Sequence, residues 1–177
     1  MITRCRVAKG QVEGLSKLIT YLPENFEMAE IGSYSGESTV IFAQKAKFIS
    51  AIDPWENNYD RTDKSSSIFP MSVVENSFDE RTRMFTNIKK VKLASVQAAE
   101  LFESKSLDFV YVDGLHTYSG VKQDILSWLP KIKKKGLIGG HDYTRRPARF
   151  KQVIRAVNEL LGVPALLFED TSWLIKL

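Results

Sequence analysis

The segment LDFVYVDG, residues 107–114, carries an unbroken apolar run from Phe109 to Val112. A strand with one wet face alternates apolar and polar side chains, so a run without alternation belongs to a strand covered on both faces, as in a parallel sheet. Parallel strands cannot be joined by tight turns. Helices must cross between them, and the rest of the chain supplies helical patterns between further short apolar runs.

Leu15, Leu18, Ile19 and Leu22 fall at i, i+3, i+4 and i+7 and predict an amphipathic helix stopped by Pro23. FEMAEIG predicts a strand, GESTVIFAQKA a helix, and FISAID a second strand ending before Pro54. The polar stretch 54–69 is a loop, and Val74, Phe78, Arg81 and Phe85 mark a helix after Pro70. IKKVKLA, LDFVYVDG and GLIGGHD are the next strands. SVQAAELF and the stripe Val121, Ile125, Leu129, ended by Pro130, are the helices between them. Phe150, Val153, Ile154, Val157, Leu160 and Leu161 form the last helical face, and ALLFED with SWLIKL reads as a closing antiparallel hairpin. The expectation is an α/β three-layer sandwich with a mostly parallel seven-stranded sheet, as a single domain over residues 1–177.

Composition narrows the class. Hydrophobic residues at 44% and charged residues at 26% exclude a disordered chain. One cysteine, Cys5 in a basic segment, cannot close an internal disulfide and suits a reducing compartment. No apolar run reaches the roughly 20 residues that cross a bilayer, and the N-terminus lacks the apolar core of a signal peptide. A cytoplasmic protein without membrane association is expected. The net charge of +4 permits an anionic partner without demanding one. The lysines of PKIKKKG read as solvated surface beside a helix end.

Ligands of open α/β sheets sit at the carboxyl ends of the strands. The first strand end reads EIGSYSGES, with Gly32 and Gly36 allowing close backbone approach. Asp53 ends the second strand, where an acid binds ribose hydroxyls. A dinucleotide fingerprint would need glycine at position 34, which is Tyr34, and no Gly-Lys-Ser/Thr makes a phosphate loop. Backbone approach, a carboxylate for a diol and an apolar slot suit a phosphate-free nucleoside.

AEIGSYSGEST, AIDPW and LDFVYVDGLHTYSGVKQDILSWLPKIKKKGLIGGHDYT together resemble the class I S-adenosylmethionine-dependent methyltransferases over residues 25–145. The chain is most similar to the small branch called methyltransferase family 24, which itself resembles catechol O-methyltransferase, the macrolide sugar O-methyltransferases and cephalosporin hydroxylase. The resemblance implies a Rossmann-like sheet. It implies that Glu30, Gly32, Ser33, Tyr34 and Ser38 line the methionine end of S-adenosylmethionine. Asp53 would hold the ribose with Trp55 nearby, Ala94 and Ser95 would sit beside the adenine, and Asp113 at the reaction centre.

Both histidines of the chain, His116 and His141, follow strand ends beside an aspartate. Asp113, Asp142 and His141 form a candidate site for magnesium or manganese, and His116 is the expected general base for a hydroxyl acceptor. In the sugar O-methyltransferases a second acid follows the equivalent of Asp142. Here that position is Tyr143, which leaves the metal open. A histidine that merely packs under Tyr118, and a His141–Asp142 pair that merely caps a turn, are the structural alternatives.

The expected activity is methyl transfer to a small-molecule hydroxyl of a sugar or phenol. The alternatives are a nucleic-acid methyltransferase, a metal-dependent hydroxylase-like enzyme, and a non-catalytic protein that keeps the pocket. Asp113-Gly114-Leu115-His116 is not the Asn/Asp-Pro-Pro-aromatic strand end of base-methylating enzymes, so nucleic acid is disfavoured. Acceptor contacts are expected from residues 54–70, from 143–149, or from a second subunit of a homo-oligomer that completes the pocket. Arg145, Arg146 and Arg149 either hold an anionic acceptor group or face solvent.

Overall fold

The computed structural model describes residues 2, 11–60, 68–144 and 150–177. Strands β1 (Glu27–Ile31), β2 (Phe48–Ile52), β3 (Ile88–Val91), β4 (Leu107–Val112), β5 (Ile132–Gly140), β6 (Leu166–Leu167) and β7 (Trp173–Lys176) form one sheet in the order β3-β2-β1-β4-β5-β7-β6. The first five run parallel. The last two are antiparallel, as the closing hairpin requires. The helices are α1 (Gln11–Ile19), α2 (Glu37–Ala43), α3 (Met71–Thr82), α4 (Ser95–Ala99), α5 (Tyr118–Trp128) and α6 (Lys151–Leu161).

Successive strand residues point to opposite faces, and two main apolar clusters follow from that alternation. Ala29, Ile31, Val110 and Val112 meet Val121, Ile125 and Trp128 of α5 and Val153, Ala156 and Val157 of α6. Met28, Ile49, Phe109 and Tyr111 meet Leu15, Leu18 and Ile19 of α1 and Phe42 of α2. A smaller cluster seats Met71, Val74 and Phe78 of α3 on Ala51 and Trp55. The three-layer sandwich and its mostly parallel seven-stranded sheet are as expected. Among the described residues no helix is long and apolar enough to cross a membrane.

Two boundaries differ from the sequence reading. The third strand stops at Val91, before Lys92 and Leu93. The fifth begins at Ile132, so Lys133, Lys134 and Lys135 of PKIKKKG belong to a strand, while Lys131 ends a single 3-10 turn over Leu129–Lys131. They remain at the surface: Lys134 and Lys135 are exposed, and Lys133 pairs with Asp108 at 2.8 Å. Lys135 has φ +67°, and the β4–β5 register shifts between Leu107 and Phe109, so the start of β5 is irregular.

The chain builds outward from β1 to β3, then returns to β4 on the other side of β1. Consequently α2 leaves β1 on one face of the sheet and α5 leaves β4 on the other. A crevice opens between them at the carboxyl ends, the usual ligand position in such sheets.

Gly32 sits at that crevice with φ +89°, and its N–H donates to the Ile52 carbonyl at 2.8 Å. A Cβ at this position would overlap the Asp113 carbonyl, a backbone atom that cannot swing away. Gly32→Ala combines an unfavourable φ with that overlap and is expected to destabilise the fold by at least about 3 kcal/mol. Chemical denaturation checks this, and a variant within 1 kcal/mol of the parent, roughly the level of an ordinary surface change, contradicts it.

Candidate functional site

The crevice is an open cleft of about 670 Å³. Gly32, Tyr34, Asp53, Ser95, Asp113 and His116, all expected at the site, border it together. Glu30, Ser33, Ser38, Trp55 and Ala94 are not on its wall, and neither are His141 and Asp142 of the expected metal set.

Glu30 has no exposed surface and lies beneath the first turn. Its carboxylate accepts hydrogen bonds from the hydroxyls of Ser33, Ser38 and Thr39. Burial pushes its carboxyl up to about 7, against the pull of those three donors. Glu30 and its serines therefore act on the turn from behind. They fix the backbone of Gly32 and Tyr34, which face the cleft.

Asp53 is held from two sides. Its Oδ2 accepts the Tyr34 N–H at 3.0 Å and its Oδ1 the Trp55 N–H at 2.8 Å. The Trp55 indole N–H donates to the Tyr34 carbonyl at 2.8 Å, and its ring packs on Phe78. Trp55 thus serves as a brace between the two strand ends rather than as a cleft wall.

The acid–histidine cluster closes the other end. His116 Nε2 lies 2.7 Å from Asp142 Oδ2 and Nδ1 lies 3.2 Å from Asp60 Oδ2. Asp113 stands 3.8 Å from Nε2, beyond hydrogen-bond reach, and adds its charge. Burial alone would lower the His116 pKa, but these carboxylates reverse that and raise it to about 12. With these carboxylates ionised and nothing else bound, the arrangement favours the charged ring. The physical reason is the concentration of negative charge around it. The ring meets Phe150 at 5.9 Å, whereas the Tyr118 hydroxyl is turned to Glu159.

His141 Nδ1 lies 3.3 Å from Asp142 Oδ1 and 3.9 Å from Asp113. Burial lowers its pKa, and the Asp113 and Asp142 charges outweigh that to give about 9. Burial raises Asp142, but the two imidazoles hold its carboxyl well below the usual range. Ligand atoms of Asp113, His141 and Asp142, the set named from the sequence, lie within 4.8 Å of one another.

The segment 54–70, expected to contact the acceptor, supplies Glu56, Tyr59 and Asp60 to the cleft wall, although no periodicity marks them individually. Asp124 did leave a signal. Val121, Asp124, Ile125 and Trp128 stand at i, i+3, i+4 and i+7, so an acid occupies the buried stripe of α5. Cys5, Arg145, Arg146 and Arg149 lie outside the described residues, as do 61–67 and 145–149 of the expected acceptor segments.

The His116 pairing has a pH signature. A histidine whose folded pKa exceeds its unfolded value contributes stability in full below the unfolded value, and loses it as pH rises toward the folded one. His116→Gln is expected to cost on the order of 3 kcal/mol at pH 6, with the gap to the parent narrowing from pH 6.5 upward toward pH 12. Denaturation midpoints across that range decide it. A gap that is constant with pH contradicts the pairing.

Residues 29–143 match the profile of methyltransferase family 24, a methyltransferase domain. A protein of Sinorhizobium fredii named y4gI, uncharacterized, is 23% identical over 121 residues, which are 65% of this chain and 13% of that protein. The chain thus spans a small part of that relative's length. Among solved structures, one assigned as an O-methyltransferase from Klebsiella pneumoniae has a TM-score of 0.64 at 15% identity, over 98% of this chain and 82% of that one. The phosphoethanolamine N-methyltransferase 1 of Haemonchus contortus, solved with phosphoethanolamine and S-adenosylhomocysteine, gives 0.60 at 13%, over 97% and 43%. An rRNA methylase from Streptococcus thermophilus gives 0.58 at 11%, over 99% and 97%. At these identities the structures are alike in fold.

Proposed function

Because this chain belongs to methyltransferase family 24, we propose that it transfers the methyl group of S-adenosylmethionine to a hydroxyl of a small molecule such as a sugar or phenol. One observation carries the reading. The cleft wall presents Asp53, Glu56, Asp60 and Asp113, the weakly charged Asp124, His116 as its one imidazole, and among its described residues no lysine or arginine. A phosphate-bearing nucleotide would meet repulsion there, whereas a sulfonium with an ammonium group meets attraction. Asp53, fixed by two backbone amides, stands where a ribose diol binds.

In the transfer, the acceptor oxygen bonds to the methyl carbon as the carbon–sulfur bond breaks, leaving S-adenosylhomocysteine uncharged at sulfur. The hydroxyl proton must leave in the same event. His116 stands at this end of the cleft. While Asp60 and Asp142 hold it protonated, it is a positive partner for the acceptor oxygen. It becomes a base only when that carboxylate charge is offset. Two carboxylates and an imidazole within 4.8 Å form a donor set that fits magnesium or manganese. Bound there, such an ion would supply the offsetting charge and lower the hydroxyl pKa.

Isothermal calorimetry is expected to show binding of S-adenosylhomocysteine, weakened about ten- to hundredfold by Asp53→Asn, the loss of a charge-assisted hydrogen bond. Binding of NAD without S-adenosylhomocysteine contradicts the reading. For the metal, manganese is expected to raise the melting temperature by mass action, with a smaller rise in Asp142→Asn. No shift in the parent protein at millimolar manganese removes the ion from the proposal.

A further inference from the structure

The segment 54–60 joins two places that the sheet keeps apart. It leaves the end of β2 beside Asp53, and its Asp60 meets His116, which follows β4. Because β1 stands between those two strands, the segment crosses the end of β1, a span of roughly 10 Å for two strand spacings. Glu56, Tyr59 and Asp60 border the same cleft as Gly32 at the end of β1 and Gly114 after β4. A ligand extending from Asp53 toward Asp113 is therefore enclosed between this segment and the strand ends.

The near end of the segment is firmly seated. Trp55 is buried on Phe78, and Asn57 Oδ1 accepts the Met71 N–H at 2.9 Å, which ties this end to the start of α3. The middle is loose. Residues 56–59 are exposed, and the bond that closes their turn, from the Tyr59 N–H to the Glu56 carbonyl, is long at 3.4 Å. Among the described residues none of 56–60 belongs to an apolar cluster. Exposed backbone with few apolar contacts opens locally at low cost. The far end is held by polar contact: His116 Nδ1 donates to Asp60 Oδ2 at 3.2 Å, with the two side chains 17% and 10% exposed. The Tyr59 hydroxyl lies in the field of Asp53 and Asp124, on the inner side of the segment.

We infer that residues 56–60 are a strap across the cleft, latched at its far end by Asp60 on His116, and that the nucleoside ligand enters and leaves only while this latch is open. The inference rests on the nucleoside reading of the cleft. The latch joins two protein groups, so it holds the strap alike over an empty cleft and a filled one. Its loss raises the open fraction of both forms equally. Entry and exit then quicken together and affinity is unchanged, because a change that favours neither form shifts no equilibrium between them. A residue that merely touches the ligand behaves differently: its loss quickens exit alone and weakens affinity in proportion.

The test is stopped-flow mixing of the full chain with S-adenosylhomocysteine, followed by intrinsic fluorescence. Asp60→Ala is expected to raise the association and dissociation rate constants together by about tenfold, the loss of one charge-assisted hydrogen bond. The dissociation constant is expected to stay within about threefold of the parent's. Asp60→Asn keeps the shape and an acceptor oxygen without the charge. It is expected to give a smaller joint rise, and it keeps the test readable if the alanine variant does not fold. Unchanged rates in a variant that melts cooperatively overturn the inference. Faster dissociation alone, with a matching loss of affinity, overturns it as well and makes Asp60 a ligand contact. If the parent does not bind S-adenosylhomocysteine, the nucleoside reading itself falls, and the strap with it. If the parent binds and either overturning result is found, only the strap falls.

Discussion

Two stretches of backbone pass closer at Gly32 than any side chain permits, and the cleft is arranged around that crossing. The Gly32 N–H bonds to the end of β2, and the Asp113 N–H bonds to the Ile31 carbonyl at 2.8 Å. Three strand ends are thereby joined by backbone alone. Asp53, Tyr34 and Asp113 inherit their relative positions from those bonds, not from the rotamers of long side chains. A ligand laid across the crossing meets a surface already paid for by the sheet.

Around it, the acids divide into two kinds by what faces them. Asp142 is held by imidazoles and stays ionised far into acid. Glu30 and Asp124, more deeply enclosed, receive hydroxyl donors and no cation, and burial pushes each carboxyl up to about 7. A hydroxyl donor offsets part of the cost of enclosing a carboxylate, while a cation can reverse it. The cluster at the end of β4 is consequently a zone of fixed charge. The floor beneath α2 and the wall beside α5 hold charge only weakly.

The sequence made the frame readable because burial on both faces leaves a local mark. FVYV, FISAI and the stripe of α6 each declare their environment within a few residues. The glycines and acids at strand ends were legible for the same reason, since a strand end is itself a local feature. Asp60 was not, because its meeting with His116 joins positions 56 residues apart through a stretch without pattern. Trp55 was placed near the ribose from its neighbour Asp53, but its packing on Phe78 of α3 turns it into a brace. Lys133, Lys134 and Lys135 looked like part of a helix end because charge hides the period-two signal of a strand. Asp124 was legible only by reading the α5 stripe at i+3 and i+7 as well as at i+4.

The place of β7 between β5 and β6 makes the covering of β5 depend on the end of the chain. β5 pairs with β4 on one side, and its other edge is covered by residues 173–176, beyond the α6 crossover. Without those residues, Leu137 to Gly140 would offer unpaired backbone beside an apolar face, the kind of edge on which separate chains associate. Lys133, Lys134 and Lys135 lie immediately before that edge, outside the register that β7 covers. Their like charges oppose pairing with a second copy of the same strand, so a run that adds little to the core is placed where it disfavours association.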